Sequence, residues 1–456
     1  MNDAHSSLSP RHTYKALPLI GLLNLAAVAG CFSPETKTAL TPTKDGFSAI
    51  RKSVAELRGL QPKRDFQVEA LANGKLADAY NPANANGIVP MAQLERAYKQ
   101  LGLLGANDDF KSQLEEFHRL ERLIAYDSAK DRLLIAADAS RLGSELQPPY
   151  GRAATELPLA MGTVHVLQEQ HFQWQEKISR TFIEDTRLAY RAVARGDALL
   201  TSLAHASDGH LAAPGHLAAA RQISLQMEKL ARGLPPFLRN QLIFPLREGS
   251  DFVAWAVKAK GRGGLNALYA NPPYATAQIL HPEKYFLTAQ TPQRFFPAGL
   301  LRHLEVPALF EQSAGELLIR GLLAEEHSLA QASHIAAGWR GDQLFSFADK
   351  SFQTTAWYSS WRSAAEAAAF QRAFQTVVEK RQRTRLRRSA GQDDETLFAN
   401  TRDHGSFALA RRGNIALYLV SHPDRLAAVA AQAWKDLEVD SAPEVLRFDS
   451  ARGPAQ

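Results

Sequence analysis

The chain has 456 residues, 45% of them apolar and 22% charged, enough for two or three hydrophobic cores and too apolar for a chain disordered throughout. Its formal net charge of +6 is mild for this length and is not gathered on one face of the sequence, so nucleic acid is not an expected partner. A single cysteine, Cys31, excludes a disulfide framework within the chain and any Cys-Cys metal pair.

The N-terminus reads as an export signal. Arg11 and Lys15 precede the apolar run "ALPLIGLLNLAAVAG", which is short of the roughly 20 apolar residues of a membrane span. The run ends in "VAGC", Val28 to Cys31, which resembles a bacterial lipobox, whose cysteine becomes the lipidated first residue. Residues 1–30 are thus expected as a lipoprotein signal peptide and Cys31 as the lipidation site. With Phe32 and Ser33 following, the expected location is the cell envelope, anchored to the outer membrane by lipid. Residues 31–50, rich in Thr, Pro, Ser and Lys, are expected as a tether.

From 51 to 337 helical periodicity dominates. Within it, a helix is expected to end before Tyr126-Asp127-Ser128, read as a turn, with a strand over Arg132 to Ala136. After Gly338 the period changes to two. "DQLFSFADKSFQTTAWYSSW" alternates around Ala348-Asp349-Lys350 as a hairpin and is followed by the helical "SAAEAAAFQRAFQTVVEK". The order recurs in "GSFALARRGNIALYLV" and "DRLAAVAAQAWKDL". Two hairpin-helix units over 338–440 imply a smaller α+β lobe, an antiparallel sheet with helices on one face. The basic-then-acidic "EKRQRTRLRRSAGQDDE" between them reads as a solvated helix end entering a loop. Residues 441–456 are expected as a disordered tail. The fold class is therefore α+β, mainly helical with a C-terminal lobe of antiparallel hairpins.

The stretch that carries chemistry is "MGTVHVLQEQHFQW", Met161 to Trp174. Val164, Leu167, His171, Trp174 and Ile178 form one apolar stripe at helical spacing. Met161, His165, Gln168 and Phe172 form a second beside it, so a buried helix over 161–178 is expected and His165 faces protein or a cleft. A zinc peptidase helix of the H-E-x-x-H kind needs two histidines four apart and a glutamate to polarise water. Here Met161 stands four before His165, and Gly162 stands at the base position. A thioether is a poor zinc ligand and glycine has no side chain.

The run "HVLQEQHF", His165 to Phe172, resembles a family of secreted zincin-like proteins of the gluzincin type, with the signature H-E-L-x-H-A-L-Q-D-Q-H-F. It keeps His165, Leu167, Gln168, Gln170, His171 and Phe172. The family's second helix, D-x-x-L-A-x-x-A-x-x-E-G-D-A, resembles "DTRLAYRAVARGDA", Asp185 to Ala198, with Arg195 where the ligand glutamate would stand. "PPFLRNQLIFPLREGSDFV", "NPPYATAQILHPEKYF" and "AAGWRGDQLFSF" resemble further family segments, so the resemblance covers about residues 50–430 and implies a zincin-like core.

What it implies for function is loss. Met161, Gly162 and Arg195 replace ligand, base and ligand, leaving one imidazole where a catalytic zinc keeps three protein ligands. A guanidinium near the former metal position also repels a cation by about 4 kcal/mol per unit-charge pair at 4 Å and a dielectric near 20. Zinc is expected to be lost, with no cofactor in its place. The expected function is a catalytically inactive, lipid-anchored pseudopeptidase that binds a protein or peptide partner. An active metallopeptidase with relocated ligands, or a purely structural lipoprotein, stays open. Arg195 either pairs with Asp197 or Asp185 or offers its donors to a ligand carboxylate, and His165 is either a satisfied core histidine or a ligand. Gln168, His171, Asp185, His281 and Lys284 are the candidates for lining the cleft. In "HASDGHLAAPGH", the Gly and Pro content places His205, Asp208, His210 and His216 on a loop, where a separate metal site is conceivable.

Overall fold

The structure, a computed structural model, describes residues 44–72, 74–79, 91–105, 107–207, 209–348, 352–388, 396–401 and 405–441. The expected signal peptide and lipidation site at Cys31, Asp208, the hairpin turn at Asp349-Lys350, the acidic cluster after Arg388 and the tail beyond Ser441 lie outside them. No helix among the described residues is long and apolar enough to cross a membrane.

The first helix, Lys44–Arg58, starts inside the stretch expected as a tether and buries Ile50, Val54 and Ala55. A small sheet follows, made of β1 (Gln67–Leu71), β2 (Ile124–Asp127) and β3 (Arg132–Ala136) in the order β1-β3-β2. β1 runs parallel to β3 and β2 antiparallel. The strand expected at Arg132 to Ala136 is present, but Tyr126 and Asp127 belong to β2 rather than to the turn. Their side chains are buried and pair across to Leu133 and Arg132, which keeps them extended for one register longer.

Helices dominate the middle of the chain. Glu184–His205 and Pro236–Ala270 pack with backbones nearly touching, because both carry glycine at the crossing. A Cβ on Gly196 would stand 2.4 Å from the Gly249 carbonyl oxygen, and one on Gly249 would stand 2.5 Å from that of Ala192. The longer helix is interrupted at Lys260 and Gly261, the latter at φ 58°, a conformation glycine adopts without Cβ strain.

β4 (Gln293–Pro297) pairs antiparallel with β12 (Leu437–Ser441). The large sheet has seven strands: β5 (Ala308–Gln312), β6 (Trp339–Ala348), β7 (Gln353–Trp361), β8 (Arg387–Arg388), β9 (Leu397–Thr401), β10 (Gly405–Arg412) and β11 (Ile415–Ser421). Their order is β5-β6-β7-β11-β10-β9-β8, antiparallel throughout. Both expected hairpins are there, and β5 starts the sheet well before Gly338. The helices do not share one face. Ala364–Arg381 lays Phe370 and Phe374 on Trp357 and Tyr418, while Leu426–Ala433 covers the opposite side at Tyr358 and Leu417. Trp357 and Tyr358 are neighbours in a strand and point to opposite faces, so a sheet apolar on both sides needs a cover on each. The fold is α+β, mainly helical with antiparallel sheets. One hydrophobic cluster runs from Ile50 to Val420, across the Ala337–Gly338 step, with no break.

Candidate functional site

The helix Ala153–Phe172 lies against β2, β3 and the helix Glu184–His205. Leu157, Leu159, Ala160, Met161, Val164, Val166 and Leu167 are all buried, which explains why apolar residues occupy more than one of its faces. It does not continue to Ile178. Gln173 takes a left-handed conformation at φ 53°, and a separate short helix, Trp174–Ser179, turns away. His171 therefore ends the first helix, where its Nε2–H donates to the Gln61 carbonyl at 2.7 Å.

At Met161 and Gly162 the space is taken. Met161 is buried in the core. A Cβ on Gly162 would lie 2.6 and 2.7 Å from the two methyl carbons of Leu133, so β3 fills the volume a side chain at 162 would need.

His165 is held by a chain of hydrogen bonds from the next helix. Gln168 Nε2 donates to the Ala194 carbonyl at 2.9 Å and to Asp197 Oδ2 at 3.1 Å. Its amide oxygen therefore faces His165 and accepts from Nδ1 at 2.9 Å. The proton sits on Nδ1, leaving the Nε2 lone pair without a protein donor among the described residues. Burial pushes His165 down to about 4; Gln168 opposes the shift and Arg195 adds to it. The imidazole is neutral at ordinary pH.

Asp197 anchors this chain. It receives Arg58 Nε at 2.9 Å, the Tyr269 hydroxyl at 2.5 Å and the Thr201 hydroxyl at 3.2 Å. Arg58 and Asp197 side chains are both fully buried. Tyr269 reaches Asp197 from beyond the Lys260-Gly261 interruption. Arg195 thus does not pair with Asp197. Nor does it meet Asp185, whose carboxylate takes the Thr276 amide at 3.1 Å and hydroxyl at 2.6 Å.

Instead Arg195 belongs to a row. Arg187, Arg191 and Arg195 stand four apart on one helix face. Arg187 is ion-paired with Glu184, and Arg191 bridges Glu121 at 3.0 Å and Glu184 at 3.3 Å. Arg195 donates through Nη2 to the Glu121 carbonyl and forms no ion pair with any described residue. Burial would raise the Glu121 carboxyl, but Arg191, His118 and Arg195 outweigh it and hold it well below the usual range. Burial also lowers the Arg195 guanidinium, with Glu121 opposing.

His165, Gln168, Glu121 and the three arginines line a cleft of about 220 Å³ whose apolar wall includes Ile124, Trp174 and Ile178. The row of arginines is legible in its i, i+4, i+8 spacing alone. Of the expected lining residues, Gln168 is at the cleft. His281 and Lys284 are instead tied to the buried Glu316, at 2.6 and 3.0 Å. Asp185 is buried near Asp342 and Glu316, and burial, reinforced by those charges, raises it to about 8.

The other histidines do not converge. His205 ends its helix between Ser53 (2.8 Å) and Glu156 (3.0 Å), and His216 sits inside the helix Pro214–Leu230 against Ser207. Of the described histidines in that stretch only His210 lies between the helices, since Pro214 starts a helix as readily as it breaks one. Among the described residues no group of three or more His, Cys, Asp or Glu is placed to hold a metal ion.

Residues 305–431 match a family described as a domain of unknown function (DUF8575), a span from just before β5 through β11 into the helix Leu426–Ala433. It contains the large sheet and none of the His165 cleft. No curated protein matches the chain, and no solved structure does.

Proposed function

We propose that the chain is a zincin-like pseudopeptidase, lipid-anchored in the cell envelope through Cys31, that uses the former catalytic cleft to bind a peptide or protein partner. The observation that carries the reading is the packing of Leu133 against Gly162. The Leu133 side chain fills the space where a catalytic base would project, so a glutamate there requires Leu133 to turn aside or be replaced. Arg195 supports the same reading, because its fixed charge beside His165 opposes a dication at that imidazole. His165 has the tautomer of a metal-binding histidine, with the lone pair on Nε2, yet a single ligand falls short of the three a catalytic zinc requires.

The test is calorimetric titration of zinc into the whole chain, purified in mild detergent without chelator, with metal content measured alongside. The expected result is no stoichiometric metal and no binding tighter than millimolar at neutral pH. One tightly held zinc per chain would overturn the reading and favour an active peptidase with relocated ligands.

A further inference from the structure

We infer that the His165 cleft is a receptor for the free C-terminal carboxylate of a peptide ending in an apolar residue, with Arg195 as the residue that takes the carboxylate. The inference deepens the peptide-binding reading above and rests on it. The charge pattern of the row is uneven. Glu121 and Glu184 together neutralise Arg187 and Arg191, and no described carboxylate pairs with Arg195. A part-buried guanidinium whose one hydrogen bond goes to a backbone carbonyl, with the Glu121 carboxylate acting on it only beyond ion-pair distance, keeps donors for something else. Leaving a buried charge unpaired is costly, and a planar carboxylate accepts two parallel N–H bonds from this group.

The rest of the cleft selects among anions. Ile124, Trp174 and Ile178 give it an apolar wall, which suits an aliphatic or aromatic side chain better than a bare inorganic ion. The Nε2 lone pair of His165 offers an acceptor near Arg195, and a terminal residue has an amide N–H one bond away from its α-carbon to donate there. The volume, about 220 Å³, is under the roughly 300–1,000 Å³ of ordinary small-molecule pockets, so the cleft holds a terminal residue rather than a long segment.

The test is calorimetry on the whole chain in detergent, in excess chelator, with N-acetyl-leucyl-leucine and with the same dipeptide as its C-terminal amide. The acid is expected to bind at least ten-fold more tightly than the amide. In Arg195→Gln the ratio should fall to near one, and Arg195→Lys should keep part of it, as a charge without the fork. Should Arg195→Gln fail to fold by its thermal melt, the ratio in the unsubstituted chain and in Arg195→Lys decides. Equal binding of acid and amide, binding of neither, or displacement of the acid by an equal concentration of inorganic phosphate would overturn the inference. The pseudopeptidase reading fails on tight zinc, whereas this inference fails on the acid-to-amide ratio, so the two failures are separable.

Discussion

Leu133 of β3 stands where the side chain of residue 162 would project, its two methyl carbons 2.6 and 2.7 Å from the Cβ that Gly162 lacks. Both elements are buried at that point, so relief has to come from Leu133 itself. Gly162→Ala gains up to about 1 kcal/mol of helix propensity but overpacks the contact, which costs about 1–3 kcal/mol. A net loss of about 1–2 kcal/mol is expected from urea denaturation. Combining it with Leu133→Ala should be less damaging than the two losses added, and strict additivity would show that the contact is absent.

The buried ion pair of Arg58 and Asp197 makes a second test. Removing one partner leaves a charge in the core with no counter-charge, at a cost of about 3–5 kcal/mol. Arg58→Met and Asp197→Asn should each destabilise by that order, and the double variant by clearly less than their sum. Asp197→Asn should also shift His165, because Gln168 then donates to a neutral amide oxygen instead of a carboxylate while the Ala194 carbonyl still orients it. The shift of the His165 ring signals in an NMR spectrum reads this directly.

His165 titrates near 4 in the folded chain, below its unfolded value of 6.5. Between those values the unfolded state binds more protons, so the contribution of His165 to stability is complete above about pH 6.5 and is lost as pH falls towards 4. In a ring-proton titration the His165 resonances should not move until the pH approaches 4. A midpoint near 6.5 would place the side chain in water.

Asp185 has the opposite sign. Its folded value of about 8 lies above the unfolded 3.8, so the folded state holds the proton between them and stability declines as pH rises through that window. Asp185→Asn keeps a carbonyl oxygen for the Thr276 amide and removes the titration. It should flatten the decline of urea-unfolding stability between pH 5 and 8, and an unchanged slope would exclude Asp185 as its source.

The parts of the fold legible in the sequence are those set by local period. β6, β7, β10 and β11 are rich in aromatic and β-branched residues and flanked by turn residues, and the helices after each hairpin carry apolar residues at helical spacing. What escaped depends on distant partners. The alternating pattern around Trp357 and Tyr358 implies one buried face, and only the two separate helices that cover them reveal a sheet buried on both sides. Gln173 breaks a helix although it is neither glycine nor proline, and nothing in its neighbours marks the left-handed turn.

The site divides in the same way. His165 and Gln168, three apart on one helix, meet as their spacing dictates. The acids nearest Arg195 in sequence are Asp197 and Asp185. Asp197 had already been claimed by Arg58, 139 positions away, and Arg195 turned to a carbonyl of the helix Phe110–Glu121. Pairings of that separation follow from packing, and no local pattern encodes them.

The two ends of the large sheet bear on how the chain avoids sticking to its own copies. A seven-stranded sheet offers two lines of unpaired backbone groups, and a long flat line of that kind recruits foreign strands. β8, at one end, is two residues long and both are exposed arginines. β5, at the other, is five residues with its register shifted between Ala308 and Phe310. A brief, charged border on one side and a kinked one on the other leave little for a neighbouring molecule to zip onto. That resistance to self-association acts on the folded chain before any ligand is met.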